Sequence, residues 1–294
     1  MELQQVRYFI ALSKTLNFTR AAEECNVTQP ALTRAIQALE AELGGELIRR
    51  ERQLTHLTEL GQRMLPLMQK CHDAAVSAKA LAAAVKTKEV AALSIVVSPT
   101  INMALFSGAL AELAKAFPGM QLKLRRASRD EIARLLKDGE VELAVAGPIE
   151  QWDRLDSWML FAEPFEAVLN KSHRLGASDE ISTDQLAGER LLIRSDCEMT
   201  RALTDQLNEK GVDTSQAHEL ETEGDMIVLL LSNLGVAITT PSQLKSELLK
   251  HLRLSDLDFE RPVTVYGVAG RRRSPVATAL LNLLRATDWT SRAA

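Results

Sequence analysis

The sequence is poor in aromatic residues and in cysteine. Phe, Trp and Tyr make up 4% of the 294 residues, so we do not expect a surface that binds single-stranded nucleic acid by stacking bases on aromatic rings. Cys25, Cys71 and Cys197 are far apart in the sequence, and no CxxC pair or histidine spacing typical of a zinc site occurs. Three isolated cysteines fit a reducing compartment, and we expect neither a metal nor a cofactor.

Long apolar segments are also missing. The longest run, near residues 227–231, is far too short to span a bilayer. The first ten residues, MELQQVRYFI, lack the basic segment followed by an apolar stretch that marks a signal peptide. We therefore expect a cytoplasmic protein that does not associate with membranes.

Positive charge is not in excess, since the formal net charge is -4. This value disfavours a protein that is basic over its whole surface, but a DNA-binding protein needs only a local basic face. Arg34, Arg49, Arg50 and Arg52 would supply such a face. The overall charge therefore neither favours nor excludes DNA binding.

The pattern of apolar residues divides the chain into three parts. Residues 1–58 have the pattern of short amphipathic helices, residues 59–88 that of one long helix, and residues 91–294 that of alternating strands and helices. A chain of this length is expected to form two or three compact units. The polar residues 86–89 are the expected linker.

The first part predicts three helices, of which the last two are joined by a tight turn. Asn17 and Thr28 are the expected N-caps of the second and third helices, and Pro30 fits the first turn of the third. An open polar face on the third helix suits the major groove of DNA, but a helical hairpin whose polar face is only solvated is the alternative. The predicted buried stripe is Ala31, Leu32, Ala35, Ile36, Leu39 and Leu43, and the predicted open face is Gln29, Thr33, Arg34 and Gln37.

The long helix carries small or apolar residues at alternating steps of four and three, which we call the seam: Leu60, Met64, Leu67, Cys71, Ala74, Ala78, Leu81 and Val85. Such a heptad pattern predicts pairing with a second copy of the chain. The rise of an α-helix makes the seam about 39 Å long. Pro66 is expected to kink the helix. The alternative is a helix that packs on its own chain.

The third part begins with a β-α-β-α-β order, which implies parallel strands. Strands are predicted at residues 93–97, 121–126 and 141–146, with Ser128 and Glu131 as a capping box before the second helix. Ligands of such sheets bind beyond the carboxyl ends of the strands, which places residues 98–100 and 147–148 at a site. We expect two α/β lobes with a crevice between them, lobe I at about 91–160 and 265–294 and lobe II at about 161–264.

The segments NFTRAAEECNVTQPALTRAIQALEAELGGELIRRE and LTELG resemble the LysR-type transcriptional regulators. The resemblance covers the whole chain and is most specific in its N-terminal part. It implies an all-α winged helix-turn-helix, a long dimerising linker helix, and a C-terminal α/β effector domain with two lobes of the periplasmic-binding-protein type. The implied function is transcription regulation in which a small-molecule effector in the crevice controls DNA binding or promoter bending. The implied partners are double-stranded DNA, further copies in a homodimer or homotetramer, and RNA polymerase.

The resemblance also implies roles for single residues. Arg34 matches the position that reads bases, and Thr28 and Thr33 match positions that contact the DNA backbone. The wing differs from the family pattern, because residues 51–56 contain no glycine and Gln53 and His56 stand where arginines are frequent. The expected DNA-binding residues are Thr28, Gln29, Pro30, Thr33, Arg34, Gln37, Arg50, Arg52 and His56.

An effector is expected in the crevice. Ser98 and Thr100 match the loop where family members hold an anionic or polar group, and free amides at helix N-termini serve the same purpose. The alternative is that Ser98 and Thr200 only cap their own helices. The expected effector-binding residues are Ser98, Pro99, Thr100, Gly147, Pro148, Cys197, Met199, Thr200, Gly224, Asp225 and Met226.

Cys197 leaves two interpretations open. It stands between a predicted strand and a helix, where the helix dipole could favour a thiolate, and peroxide-sensing members of the family carry a reactive cysteine in this region. They also use a partner cysteine one helical segment later, but residues 206–211 contain none. Cys197 is therefore either a single-thiol redox sensor or a small residue lining the pocket.

Two other classes of protein fit less well. A solute-binding protein for transport would not need the helix-turn-helix. An enzyme is not expected, because the sequence contains no phosphate loop, GxSxG elbow or HExxH motif.

Overall fold

A computed structural model describes residues 1–51, 54–87 and 92–289, with side chains described throughout these ranges except at positions 50, 51, 77, 80, 81 and 83–87. The chain divides into two compact units. The first comprises Met1–Glu89 and Thr278–Thr287, and the second comprises Val90–Ala277 and Asp288–Ala294. Among the described residues, no helix is both long enough and apolar enough to cross a bilayer.

The N-terminal part is a three-helix domain with a two-stranded wing. Its helices are α1 (Leu3–Thr15), α2 (Phe18–Glu24) and α3 (Gln29–Leu43), and its antiparallel strands are β1 (Ile48–Glu51) and β2 (Leu54–Leu57). Asn17 caps α2 as predicted, because its side chain accepts hydrogen bonds from the N–H groups of Thr19 and Arg20. Thr28 stands at the N-cap position of α3, but its side chain makes no capping hydrogen bond to the described residues.

The apolar stripe of α3 lies in the core of this domain. Leu32, Ile36 and Leu39 are buried, whereas Ala31, Ala35 and Leu43 are partly buried at its margin. α3 ends at Gly44, whose positive φ of 74° is the left-handed conformation that glycine adopts without a steric penalty. The period of 3.6 residues therefore predicted correctly which face of α3 is buried.

Helix α4 (Glu59–Thr87) follows the wing and forms one uninterrupted helix. Pro66 lies inside this helix and does not end it, and the kink predicted at Pro66 stays a prediction. One face of α4 packs on the N-terminal core through Met68, which is only 1% exposed. The seam residues Leu67, Cys71, Ala74 and Ala78 are exposed on the single chain.

The first sheet of the second unit has the strand order β4-β3-β5-β13-β6. β3 is parallel to both β4 and β5, as the β-α-β-α-β order predicted, whereas β13 is antiparallel to its neighbours β5 and β6. The strands are β3 (Ala92–Val97), β4 (Gln121–Arg126), β5 (Leu143–Ala146), β6 (Leu155–Pro164) and β13 (Glu260–Val268). The accompanying helices are a 3-10 turn (Met103–Phe106), α5 (Ser107–Ala116) and α6 (Arg129–Asp138), and the last helix of the chain is α9 (Pro275–Ala286).

The second sheet has the order β10-β9-β11-β7-β12-β8. Its strands are β7 (Glu166–Asn170), β8 (Glu180–Ile181), β9 (Leu191–Arg194), β10 (His218–Leu220), β11 (Val236–Thr239) and β12 (Leu249–Leu254). The intervening helices are α7 (Thr200–Glu209) and α8 (Glu223–Leu231). We call the part built on the first sheet the first lobe and the part built on the second sheet the second lobe. The chain passes between them after β6 and returns before β13.

Several local features differ from the sequence-based expectations. Ser128 stands at the N-cap of α6, but its side chain forms no capping hydrogen bond among the described residues, so the predicted capping box with Glu131 is wrong. Strand β6 was not expected. It contains an apolar run at residues 158–162, but its side chains are mostly half-exposed. Strand β12 was also missed, because it mixes charged and apolar residues.

Candidate functional site

The open face of α3 carries the predicted DNA-binding residues of this helix. Thr28, Pro30, Arg34 and Gln37 are exposed, and Gln29 and Thr33 are half-exposed. The Gln29 side chain donates a hydrogen bond of 2.9 Å to the Thr33 hydroxyl. Arg34 Nε lies 3.4 Å from the Pro30 carbonyl oxygen, so the guanidinium lies along the helix surface. The structure thus places these polar side chains together on one solvent-facing surface.

The wing is fixed to α3 by one carboxylate. Glu40 Oε1 accepts hydrogen bonds from the N–H groups of Leu47 and Ile48, at 2.8 and 3.1 Å. Because Ile48 is the first residue of β1, this contact fixes the start of the wing against α3. His56 on β2 pairs with Arg49 on β1 in the register of the wing. Arg52 lies outside the described residues, as does the side chain of Arg50.

Most of the described part of the seam lies on a face of α4 that the N-terminal core does not cover. Leu60 and Met64 pack at the margin of that core and are half-exposed, whereas Leu67 is 54% exposed. Cys71, Ala74 and Ala78 continue the exposed row. The backbone of Leu81 and Val85 continues the helix, but their side chains lie outside the described ones.

A second candidate site lies in the second unit, where residues 98–101 after β3 meet the second lobe. We call this region the cleft. Thr100 is 2% exposed and is the centre of its hydrogen bonds. Its carbonyl oxygen accepts hydrogen bonds from the Gln243 side chain and, at 3.0 Å, from Arg261 NH1. Arg126 supports the loop from the other side by donating to the carbonyl oxygens of Ser98 and Ile101, at 2.6 and 2.7 Å.

Arg261 is a fully buried cation at the point where the chain re-enters the first sheet. Its NH1 also donates to the Thr100 hydroxyl at 3.0 Å, and its NH2 donates to the Glu163 carboxylate and the Thr240 hydroxyl. Arg261 Nε has no hydrogen-bond partner among the described residues. A buried donor is normally paired, so a small polar molecule beside this nitrogen would remove an energetic cost.

Among the described residues, a small cavity lies in the cleft. It has a volume of about 10 Å³, enough for roughly one water molecule. Thr100, Cys197, Thr200, Gln243 and Arg261 are among its lining residues. An effector of ordinary size therefore needs the cleft to widen.

Glu198 joins the two lobes across the cleft. Its Oε1 accepts a hydrogen bond of 3.0 Å from the Gly147 N–H, and its Oε2 accepts one of 3.3 Å from the Thr100 hydroxyl. Ser98 Oγ lies 3.3 Å from Thr100 Oγ1. Ser98, Thr100 and Gly147 were predicted from the sequence, and the structure brings them together at this carboxylate.

Cys197 precedes Glu198 and lines the small cavity. Burial raises the pKa of the Cys197 thiol, and the neighbouring Glu198 carboxylate raises this pKa further. Arg261 and hydrogen bonds from the Met199 backbone and the Thr100 hydroxyl oppose this rise. The thiol form is favoured over the thiolate, in contrast to the expected effect of a helix dipole.

The remaining predicted effector residues are placed in different ways. The Thr200 hydroxyl donates to the Arg194 carbonyl in the preceding loop. Thr200 is the first residue of α7, whose N-cap is Met199, so it does not cap this helix as the alternative expected. Gly224 is exposed, and the Asp225 carboxylate accepts a hydrogen bond from Thr222 in the first turn of α8. Pro99 and Pro148 are partly exposed beside Thr100 and Gly147, and Met199 packs against the core of the second lobe.

Met226 requires a correction. It is 1% exposed and belongs to the hydrophobic core of the second lobe with Leu192, Leu230 and Ala237. It follows the exposed Gly224 and Asp225 on α8, but the helical turn directs it to the opposite side. Met226 is therefore a core residue and was wrongly placed in the effector site.

Glu198, Gln243 and Arg261 were missed by sequence reasoning. Each contacts Thr100, which is at least 98 positions away in the sequence. No local motif marks them, although a lone arginine next to an apolar strand pattern is a weak signal for a buried pair. Within the ranges described, no group of three or more potential ligand side chains could hold a metal ion.

Two family descriptions match the sequence. "Bacterial regulatory helix-turn-helix protein, lysR family" matches residues 3–62, and "LysR substrate binding domain" matches residues 87–289. The chain belongs to the LysR family. This LysR protein is a transcription regulator with a helix-turn-helix DNA-binding domain followed by an effector-binding domain, which confirms the resemblance seen in the sequence. Members of the family are regulators of transcription rather than enzymes.

Known relatives resemble this LysR protein over nearly its full length. The SDS degradation transcriptional activation protein of Pseudomonas sp. (strain ATCC 19151) is 30% identical over 305 residues, covering 98% of this chain and 96% of its own. The oxidised form of Corynebacterium glutamicum OxyR has a TM-score of 0.65 at 21% identity, with 97% of this chain and 91% of that chain covered. Full-length CbnR in complex with its target DNA has a TM-score of 0.58 at 19% identity, with 97% and 99% covered. At such identities the two structures show a shared fold.

Proposed function

We propose that this regulator reads double-stranded DNA with the open face of α3. The observation that carries the proposal is the placement of six predicted contact residues on one solvent-facing helix surface, while the opposite stripe of α3 is buried. Arg34 would read base edges in the major groove, and Thr28 and Thr33 would contact phosphates. Gln29, Pro30 and Gln37 complete this surface, and Arg50, Arg52 and His56 of the wing would contact the adjacent backbone.

The regulator would act as a dimer. Leu67, Cys71, Ala74 and Ala78 form an exposed row along α4, and a heptad row of this kind is buried when two helices pair. Two copies would present two recognition helices, so the target would contain two half-sites. A homotetramer formed by two such dimers would contact two neighbouring sites, and RNA polymerase would be the partner at the promoter.

The cleft would bind the effector. Hydroxyls, a backbone N–H and a buried guanidinium converge there, and these groups bind polar or anionic small molecules. A ligand that binds one arrangement of the two lobes better than another shifts the population toward that arrangement. Such a shift would change the geometry of the dimer and hence DNA binding or promoter bending.

A second candidate mechanism is redox sensing through Cys197. Its position beside the Thr100 hydroxyl and Arg261 in a small cavity favours it. The raised pKa of the thiol disfavours it, because the thiolate is the form that reacts with oxidants. We therefore favour control by a small molecule in the cleft.

The first test is fluorescence anisotropy with the DNA upstream of the protein's own gene, at two salt concentrations and with scrambled DNA as competitor. We expect binding that resists the competitor and weakens as salt increases, because contacts with phosphates release counterions. The same protein, immobilised, would select fragments from the genomic DNA of its own organism. Enrichment of no fragment, together with binding no tighter than to scrambled DNA, would contradict the proposal.

A further inference from the structure

Two groups in the cleft that can bind an anion are already bound to a carboxylate of the chain. The Gly147 N–H and the Thr100 hydroxyl belong to the first lobe, and both donate to Glu198, which precedes α7 in the second lobe. The two donors lie on different loops, after β5 and after β3, and they converge on the two oxygens of one carboxylate. This is the geometry expected around a bound carboxylate ligand.

The direction of the Thr100 hydrogen bond follows from its other partners. A hydroxyl has one hydrogen to donate and two lone pairs with which to accept. Arg261 NH1 can only donate, and it lies 3.0 Å from Thr100 Oγ1. The hydroxyl therefore accepts from Arg261 and keeps its one hydrogen for a second partner. Glu198 Oε2 and Ser98 Oγ, each at 3.3 Å, and the Cys197 thiol are within reach of that hydrogen. The buried cation thus leaves the Thr100 hydroxyl able to donate, and of these three partners Glu198 is the one that carries a carboxylate.

Glu198 approaches the backbone closely at Gly147. A Cβ atom at this residue would lie 3.3 Å from Glu198 Cδ, closer than most such contacts, so a larger residue here would require the carboxylate to move slightly. The Gly147 carbonyl oxygen accepts a hydrogen bond of 3.0 Å from the buried Tyr266 hydroxyl. Tyr266 therefore helps to hold the Gly147 loop in place, and the N–H that Glu198 uses belongs to a supported loop.

We propose that Glu198 is a built-in ligand of the cleft, whose carboxylate occupies the place of an external carboxylate and ties the two lobes together until a competing carboxylate displaces it. This inference rests on the proposed function of the cleft as the effector site. The inference adds that, without an effector, Glu198 already makes the hydrogen bonds with Gly147 and Thr100 that a bound carboxylate would make. An effector must then supply contacts beyond its carboxylate in order to compete with a group that is covalently attached at high effective concentration.

The test uses acetate as a free carboxylate, acetamide as its neutral counterpart, and the full-length protein. Glu198→Ala removes the built-in carboxylate, and Glu209→Ala removes an exposed carboxylate at the end of α7 as the matched control. At constant ionic strength we expect acetate to raise the Tm of Glu198→Ala by about 2–4 °C, the shift for a ligand near ten times its Kd. Wild type, Glu209→Ala and every acetamide sample should not show this rise.

Two more variants complete the test. Glu198→Gln keeps the volume of the side chain, and it should show an acetate response at higher concentrations even if the alanine variant does not fold. Adding Gly147→Ala to Glu198→Ala should weaken the response, because the new methyl group would lie 3.3 Å from the position of the carboxylate carbon, closer than most such contacts. Equal stabilisation of wild type and Glu198→Ala, or no stabilisation of either folded Glu198 variant, would overturn the proposal. Because this readout needs no DNA, its failure is distinct from a failure of the protein to bind DNA.

Discussion

Arg261 lies opposite Glu163 on the neighbouring antiparallel strand, and the two side chains form an ion pair with exposures of 0% and 1%. The pair stands at the ends of β6 and β13, where the chain leaves and re-enters the first sheet. Arg261 also bonds to Thr100, so the ion pair connects the crossing strands to the cleft. Removing either partner of such a pair leaves the other charge buried without compensation.

Replacing Glu163 by alanine should therefore destabilise the protein strongly. The change leaves the Arg261 guanidinium buried without its counter-charge, which costs about 3–5 kcal/mol in comparable cases. The measurement is the urea midpoint of unfolding. The control is Glu180→Ala, which breaks the exposed ion pair with Arg253 and should cost about 0–1 kcal/mol. Similar midpoints for the two variants would show that the buried pair has no special role.

Replacing Arg34 by alanine should weaken binding to the target DNA by about 1–3 kcal/mol, because a contact to a base edge is lost. Arg34→Lys keeps the charge but loses the planar fork that recognises guanine, so it should lose discrimination while retaining most of the salt dependence. Anisotropy titrations with target and scrambled DNA measure both effects. If both variants bind and discriminate as wild type does, Arg34 does not read bases.

Replacing Leu67 by aspartate should prevent dimerisation, since it places a charge in the middle of the seam. Leu67 is 54% exposed on the single chain, so the variant should still fold. Light scattering after size-exclusion chromatography measures the mass. Gln62→Asp introduces the same charge at an exposed position of α4 outside the seam, and it should remain a dimer. A dimeric Leu67→Asp protein would show that the seam is not the dimer interface.

The Cys197 thiol should react slowly with iodoacetamide at neutral pH. Its pKa is raised by burial and by Glu198, so the reactive thiolate forms only at a pH above the value of about 8.5 typical of a free cysteine. The rate is measured against pH in a Cys71→Ser background, with Cys197→Ser added as the blank. Glu198→Gln removes one cause of the shift and should move the profile to lower pH. A rate that is already maximal at neutral pH would favour the redox mechanism.

The sequence predicted those parts of the fold that depend on local periodicity. The buried face of α3, the extent of α4 and the parallel strands β3, β4 and β5 follow from the spacing of apolar residues and from the capping residue Asn17. β6 and β12 were not predicted in this way. β6 has an apolar run at residues 158–162 whose side chains are only partly buried, and β12 mixes charged and apolar residues. Their strand conformation depends on partners that are distant in the sequence.

The candidate site shows the same limit of prediction from local sequence patterns. Ser98, Thr100 and Gly147 follow strands of a parallel sheet, so topology alone placed them at one edge. Glu198 and Arg261 reach that edge only through the fold of the second lobe and the return of the chain in β13. Met226 was misplaced because its neighbours in the sequence are exposed while its own side of α8 faces the core.

The return of the chain in β13 also makes the second lobe a single long insertion. β6 and β13 are paired along their whole length, and the pairing continues into the N–H of Phe165 and the carbonyl of Phe259. The rings of these two phenylalanines also contact each other, with their centroids 5.2 Å apart. The chain between these two phenylalanines leaves and re-enters the first lobe at one end of the antiparallel pair β6 and β13. Such a module can be lost, shortened or exchanged by recombination at two adjacent points, while the strands beneath it keep their partners.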